Sequence, residues 1–160
     1  EKYQKYALIR WFVAQLRGVF INRFNPDVHA LRTALNRMKQ GEVLVLAPEG
    51  TRSKTEALIR AHPGVVYLAA KAGAPIVPVA IVGTEDRVVK ARLRRLQRAD
   101  ISVRVGRPFT LPGLKPGDRE AQLQEYTDEL MCQIAALLPP SYRGVYAEHP
   151  RLMGLPSNPD

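Results

Sequence analysis

The chain has 160 residues, of which 46% are hydrophobic, and this suits one folded domain and excludes global disorder. Its formal net charge of +9 favours anionic partners: nucleic acid, an anionic membrane surface or phosphorylated substrates. The single cysteine, Cys132, excludes an intramolecular disulfide and favours a reducing compartment. Its apolar neighbours indicate a small buried residue and not a nucleophile. No stretch approaches the roughly 18–20 apolar residues of a membrane span, and no signal peptide is visible.

Residues 2–17 have apolar residues at helical spacing, with Trp11 and Phe12 among several cations. Such a basic helix with aromatic anchors can lie in a membrane interface, or it can pack on a core with a solvated basic face. Residues 18–23 form a short apolar run that predicts a strand ending at Arg23. Asp27 then predicts the N-cap of a helix to about Lys39, which Gly41 ends.

The following elements alternate between strands and helices. Residues 43–47 predict a strand buried on both faces, residues 48–62 a polar connection, and residues 64–72 a helix closed by Gly73. Two further strands are expected: another buried strand at 76–82, where Pro78 indicates an edge or bulge, and a strand at 101–105. Residues 118–138 predict a long helix. This pattern predicts an α/β domain at 1–138, with a mainly parallel sheet flanked by helices, and an irregular C-terminal tail at 139–160.

The polar segment at 48–53 follows the first of these predicted buried strands, where open α/β sheets place ligands. Gly50 allows close backbone approach, and Arg52 offers a planar fork of donors that matches phosphate. Thr51 and Ser53 add hydroxyl donors. Glu49 does not fit as a phosphate ligand but could orient Arg52 or accept from a hydroxyl. The alternative is a turn with ordinary surface residues.

Residues 47–53 resemble block III of the glycerolipid acyltransferases, Phe-Pro-Glu-Gly-Thr-Arg-Ser, with Ala47 in place of the phenylalanine. Residues 18–23 resemble block II, and residues 76–81, an apolar run centred on Pro78, resemble block IV. The order and spacing of the three segments agree with the family of 1-acylglycerol-3-phosphate acyltransferases. The chain is similar to that family from roughly residue 5 to residue 108.

The resemblance implies acyl transfer from acyl-CoA or acyl carrier protein, as co-substrate and without another cofactor, to the hydroxyl of 1-acylglycerol-3-phosphate. The product would be phosphatidic acid for phospholipid biosynthesis, made by a cytoplasmic protein peripheral to the inner membrane face. The resemblance places the acceptor's phosphate at a set of loop residues: Arg23, Glu49, Gly50, Thr51 and Arg52. It makes the block IV strand structural or part of the acyl path, at Val77, Pro78 and Val79.

The family's catalytic block I, a histidine followed five positions later by an aspartate, is missing. Five positions after the three histidines stand Ala34, Tyr67 and Gly154. We therefore assign no catalytic residue and expect the chain as given to be inactive, either through N-terminal truncation or as a natural shortened homologue. The alternative function is a non-catalytic lipid- or phosphate-binding homologue. His62 is expected to be a surface residue, and no metal site is expected from scattered histidines and one thiol.

Residues 87–98 contain six cations and no acid, with Val89, Leu93 and Leu96 at helical spacing. This cluster could contact anionic lipid headgroups, receive an acidic carrier protein or the phosphates of CoA, or form a solvated face. The membrane or carrier contacts predicted for the chain are Trp11, Phe12, Arg92, Arg94 and Arg95. Specific nucleic-acid binding is not expected, because the cluster lacks interleaved aromatics and matches no nucleic-acid motif.

Overall fold

The computed structural model describes residues 28–155. Its contacts divide the chain into two compact units, Glu1–Leu46 and Ala47–Asp160. The predicted helix at 2–17 and strand at 18–23 lie outside the described residues, and so do Trp11, Phe12 and Arg23. The assignment of 1–138 to one acyltransferase domain stays a prediction.

The described part of the first unit is one helix and an extended segment. Helix α1, Val28–Lys39, confirms the predicted helix and buries Ala30 and Ala34. The prediction that residues 43–47 form a strand buried on both faces is wrong. Val43 and Val45 are 90% and 89% exposed, and no strand pairing is assigned to this segment among the described residues. An apolar run forms a buried strand only where neighbouring strands supply ladder hydrogen bonds.

The core of the second unit is built on two helices that the sequence predicts. Helix α2, Gly64–Ala72, buries Val66 and Leu68, and Gly73 closes it in the left-handed conformation by donating its N–H to the carbonyl of Ala69. A long helix (α4, Arg119–Ala136) begins at Asp118, whose side chain accepts from the backbone N–H of Ala121. The fully buried side chains of α4 form the centre of the core with α2; they include Met131, Cys132 and Ala135.

A two-stranded sheet packs beside these helices. Strand β1, Val79–Val82, pairs antiparallel with β2, Ser102–Val105, in the register Val79 to Val105 and Ile81 to Val103. The pairing continues past the strand ends. The N–H of Gly106 donates to the carbonyl of Pro78 at 2.8 Å, and Ile76 and Phe109 exchange two backbone hydrogen bonds.

The mainly parallel sheet expected from the sequence is therefore not what the described residues form. A parallel pair needs a crossover helix packed on the sheet face. The helix between β1 and β2 is α3, Asp86–Arg94, and it buries no residue. The chain consequently leaves β1 and returns to pair antiparallel at its edge. The strand at 76–82 is also not a buried one, since Val77, Val79 and Ile81 are all exposed while Ala80 is buried.

The tail after residue 138 is more ordered than predicted. It forms two 3-10 turns, Pro140–Tyr142 and Gly144–Tyr146, and a short helix α5, Pro150–Met153. Tyr146 and Leu152 belong to the buried core. Leu58 pairs with this tail through two backbone bonds: its N–H donates to the carbonyl of Tyr142, and its carbonyl accepts from Val145.

Replacing Gly144 with alanine should destabilise the fold, because the residue has a φ of +50° and a Cβ there would lie 2.0 Å from the Leu58 carbonyl oxygen. We expect the free energy of unfolding to fall by at least about 2 kcal/mol. The control is Gly113→Ala, where no atom lies within 4 Å of the added Cβ. Urea unfolding should show the control within about 0.5 kcal/mol of the unaltered chain. Equal stabilities for the two variants would contradict the close approach.

Candidate functional site

The segment at 47–53 begins with a tight turn. The N–H of Gly50 donates to the carbonyl of Ala47 at 3.1 Å, and the N–H of His62 donates to the carbonyl of Pro48 at 2.9 Å. Gly50 has a φ of +66°, and a Cβ at this position would lie 3.1 Å from Cδ2 of His62. Both the backbone conformation and the histidine ring therefore require glycine here.

Glu49 braces this loop. Its carboxylate accepts a hydrogen bond from the backbone N–H of Ile59 at 3.2 Å. Partial burial raises the pKa of Glu49, and the hydrogen bond from Ile59 offsets this only in part. The Glu49 side chain thus joins the two ends of the segment at 48–62. Its hydrogen bond comes from a backbone N–H and not from Arg52 or a hydroxyl.

A cleft of about 610 Å³ lies in front of the loop. One side is the loop with its continuation to residue 58, and the other is the end of β1 with the first turn of α3. Leu58, Ile81 and Leu138 contribute apolar walls. The remaining lining residues are mostly polar: Glu49, Thr51, Arg52, Ser53, Lys54, Glu56, Ala57, Thr84, Glu85, Asp86, Arg87 and Tyr142. The size and the mixture suit a small ligand with a polar head and an apolar portion.

Charges around the cleft are paired across it. Nη1 of Arg52 lies 3.3 Å from Oδ2 of Asp86, which Lys90 also contacts at 3.3 Å, and Arg87 pairs with Glu56 at 3.3 Å. These side chains are largely exposed, and such ion pairs contribute only about 0–1 kcal/mol each. The Arg52–Asp86 pair therefore contributes little to the stability of the fold.

The cleft's far wall is held by a hydrogen bond between the tail and the start of α3. The hydroxyl of Tyr142 donates to the carboxylate of Glu85. This bond lowers the pKa of Glu85 and raises the pKa of Tyr142. The tail turn thereby fixes the chain where it enters α3, next to Asp86.

The structure brings together part of the residue set expected from the sequence. Glu49, Thr51 and Arg52 line the cleft and Gly50 shapes the turn, while Arg23 lies outside the described residues. The contributions of Glu85, Asp86 and Tyr142 are absent from the sequence expectation. Glu85 and Asp86 do border the basic cluster as its nearest acids, but nothing in the spacing indicates that Tyr142 would reach them.

The three residues expected to be structural or to line the acyl path differ from one another. The side chain of Pro78 is fully buried, and its ring packs so closely under Gly106 that an added Cβ would lie 2.8 Å from it. Val77 and Val79 are exposed on the opposite side of the strand. The predicted contacts Arg92, Arg94 and Arg95 lie at the far end of α3, outside this cleft.

Cys132, His149 and Asp128 form a second polar group, between α4 and the tail. Sγ of Cys132 lies 3.3 Å from Nδ1 of His149, and Nε2 of His149 lies 3.8 Å from Oδ2 of Asp128. The backbone N–H of Arg151 donates to the same Nδ1, so this nitrogen is an acceptor and the thiol is its donor. Burial raises the pKa of Cys132 to about 11. The raised pKa favours the protonated thiol, and the prediction that Cys132 is buried is confirmed.

Between residues 28 and 155, no group of three or more His, Cys, Asp or Glu side chains is arranged to hold a metal ion. In the same range, none of the helices combines the length and apolar composition that crossing a bilayer requires.

Comparison with known proteins identifies the family. The sequence pattern of the family described as Acyltransferase matches residues 1–82, half of the chain. The chain belongs to the acyltransferase family. The resemblance drawn from the three block motifs is thus confirmed, and the cleft described above contains the block III loop of an acyltransferase.

Individual relatives are acyltransferases of lipid substrates. The chain is 30% identical over 104 residues to the chloroplastic 1-acyl-sn-glycerol-3-phosphate acyltransferase BAT2 of Brassica napus, a match that covers 64% of this chain and 30% of that protein. It is 26% identical over 136 residues to a lyso-ornithine lipid O-acyltransferase of Pseudomonas aeruginosa, covering 75% and 53%. The chain spans about 30% of the length of the first curated plant relatives that it matches.

A solved structure shares the fold. The 1-acyl-sn-glycerophosphate (LPA) acyltransferase PlsC of Thermotoga maritima matches with a TM-score of 0.57 at 28% sequence identity. The match covers 81% of this chain and 51% of that one. The fold is accordingly of the glycerolipid-acyltransferase type.

Cys132 should resist alkylation in the folded protein, because its thiol is buried and its pKa is raised to about 11. We expect iodoacetamide at pH 8 to leave the native chain unlabelled and to label it fully after unfolding in guanidinium. Mass spectrometry gives a clean result, since Cys132 is the only cysteine. Rapid labelling of the native chain would contradict the inert, structural role.

Proposed function

We propose that this chain forms the acceptor-binding part of an O-acyltransferase that acts on 1-acylglycerol-3-phosphate. The acyl group would come from a thioester, acyl-CoA or acyl carrier protein, and the product would be phosphatidic acid. The observation that carries the proposal is Arg52, which stands on the block III loop at the cleft and is held by an exposed ion pair. Relatives named for this acceptor support the same substrate class.

The acceptor's phosphate would replace Asp86 at Arg52. A phosphate carries more negative charge than the carboxylate of Asp86 and has more acceptor oxygens, so it should bind Arg52 more strongly than Asp86 does. Thr51, Ser53 and Lys54 line the cleft around Arg52 and supply further donors. Glu49 and Gly50 act indirectly in this proposal, since they set the shape of the loop that carries Arg52. Arg23 is proposed as a second arginine for the phosphate.

The exposed side of the sheet is proposed as the acyl path. Val79 and Ile81 of β1, and Val77 just before the strand, are all exposed, and Ile81 also lines the cleft. Across the sheet, Val105 and Val103 face Val79 and Ile81 in register and are exposed as well. An apolar surface that starts in the cleft suits an acyl chain attached to a headgroup bound there. Pro78 supports this strand from its buried side.

The reaction itself requires a base to take the proton of the acceptor hydroxyl while its oxygen attacks the thioester carbonyl and the thiol leaves. The family uses a histidine and an aspartate spaced as His-x4-Asp for this step, and the 160 residues contain no such pair. The second candidate function is a lipid- or phosphate-binding homologue of the same fold that does not catalyse the transfer. Both candidates use the same phosphate contacts.

The proposed setting is the cytoplasm, with the protein bound peripherally at the inner face of the membrane. The acceptor and product are membrane lipids, so the cleft must meet a bilayer surface that supplies them. The net charge of +9 favours an anionic surface. No cofactor besides the thioester co-substrate is needed for this chemistry.

Changes at the Arg52–Asp86 pair should alter anion binding in opposite directions. With glycerol 3-phosphate as a soluble probe, we expect Arg52→Ala to weaken binding by about 10- to 100-fold, because a charge-assisted contact is lost. Asp86→Asn should strengthen binding by about two- to fivefold, because it frees Arg52 from an exposed ion pair. Isothermal titration calorimetry measures both.

The matched control is Arg119→Ala, which removes an exposed arginine outside the cleft and should leave the affinity unchanged. If Arg52→Ala binds glycerol 3-phosphate as tightly as the unaltered chain does, Arg52 has no role in phosphate binding.

The chain as given should not transfer acyl groups, because it lacks the His-x4-Asp pair that would activate the acceptor hydroxyl. We expect no phosphatidic acid above the uncatalysed background when purified residues 1–160 are incubated with 1-acylglycerol-3-phosphate and either thioester. Thin-layer chromatography of radiolabelled acceptor provides the readout. Measurable turnover that Arg52→Ala abolishes would overturn this prediction and place the base within these residues.

A further inference from the structure

The end of helix α3 presents leucine side chains to solvent. Leu93 is 70% exposed and Leu96 is 94% exposed, and α3 itself buries no residue. Leu96 has a φ of +51°, a left-handed conformation that is unfavourable for a residue with a branched side chain. Backbone bonds from Leu96 and Gln97 to the last turn of α3 hold it there. A strained backbone that presents an apolar side chain to water stabilises nothing within the fold.

Arginines flank these leucines without internal partners. Four of them follow one another closely and are exposed: Arg92, Arg94, Arg95 and Arg98. Throughout the part of the chain that the structure describes, none of the four forms an ion pair. In contrast, Arg87 and Lys90, earlier in α3, pair with Glu56 and Asp86. The charge of this end is therefore available to an external anion.

A second cleft, of about 400 Å³, opens along the same helix. Arg87, Arg92 and Arg95 line it together with Val88, Ala91 and Gln97. The lining residues include no carboxylate and three guanidinium groups, of which Arg87 pairs with Glu56 while Arg92 and Arg95 have no ion-pair partner among the described residues; the cleft beside the 47–53 loop, the acceptor cleft, has mixed charges instead. Guanidinium groups favour phosphate oxygens, which suits a phospholipid headgroup.

We propose that the end of α3 is a docking tip for an anionic phospholipid bilayer. Leu93 and Leu96 enter the interface, and Arg92, Arg94, Arg95 and Arg98 bind the surrounding headgroups, with the second cleft receiving one headgroup phosphate. Apolar side chains ringed by cations match an anionic bilayer surface, which offers both an apolar interior and phosphate charge. An acidic carrier protein satisfies the charge but gives the exposed leucines no equivalent apolar layer.

The position of the tip connects it with the acceptor cleft, and this consequence rests on the proposed function. Asp86 at the start of α3 contacts Arg52 in that cleft. Seven residues later, about 10 Å along the helix axis, stands Leu93. Docking of the tip would hold the acceptor cleft within roughly one lipid headgroup layer of the bilayer that contains the substrate.

The test is co-sedimentation of the 160-residue chain with vesicles of phosphatidylcholine alone or mixed with phosphatidylglycerol. We expect the unaltered chain to partition into the mixed vesicles, and Leu93→Ser/Leu96→Ser or Arg92→Gln/Arg95→Gln to lower the partition coefficient about tenfold or more. Matched controls are Val145→Ser/Met153→Ser, which removes exposed apolar side chains elsewhere, and Lys115→Gln/Arg119→Gln, which removes the same charge elsewhere. Both controls should bind like the unaltered chain.

The tip residues are exposed, so thermal unfolding should confirm that all variants fold. The proposal is wrong if the leucine and arginine variants partition like their controls, or if phosphatidylglycerol makes no difference. It is also wrong if the arginine variants lose binding to acyl carrier protein but keep vesicle binding.

The leucine variant should bind glycerol 3-phosphate normally, and Arg52→Ala should bind vesicles normally. A negative result for bilayer docking by the end of α3 can therefore be distinguished from a negative result for phosphate binding at Arg52.

Discussion

The backbone pairing between Leu58 and the tail is the constraint on which the site depends. Residues 48–62 form neither helix nor strand, so the loop has no ladder of its own to fix it. Leu58 donates to Tyr142 and accepts from Val145, and the N–H of Ala61 donates to the hydroxyl of Tyr146. Because Tyr146 is anchored in the core beside α4, these bonds transmit the rigidity of the core to the loop that presents Arg52.

Charge in the acceptor cleft is balanced and not simply basic. The lining contains three cations and four carboxylates, in a chain whose net charge is +9. The excess positive charge is instead concentrated at the far end of α3, where no acid is interspersed. One short helix, α3, thus lies between two clefts that differ in charge. At its beginning, Asp86 forms an ion pair with Arg52 of the loop. At its end, the arginines have no ion-pair partner within the described residues.

The sequence could predict the local elements and the motif, but not what surrounds them. Helical spacing and caps gave α2 and α4 nearly to the residue, since Gly73 and Asp118 act through bonds within one turn. The strand order was not predictable, because an apolar run such as 43–47 or 76–82 does not specify its partner or its exposed side. Tyr142 was missed for the same reason. Its contact with Glu85 joins positions 57 residues apart, and only the folded chain brings them together.

The family pattern ends at residue 82, but the cleft does not. Glu85, Asp86 and Arg87 follow just beyond that limit, and Leu138 and Tyr142 come from more than 50 residues later in the chain. Six of the fifteen residues that line the cleft therefore lie outside the family pattern, and substitutions among them can reshape the cavity wall while the Pro-Glu-Gly-Thr-Arg loop stays unchanged.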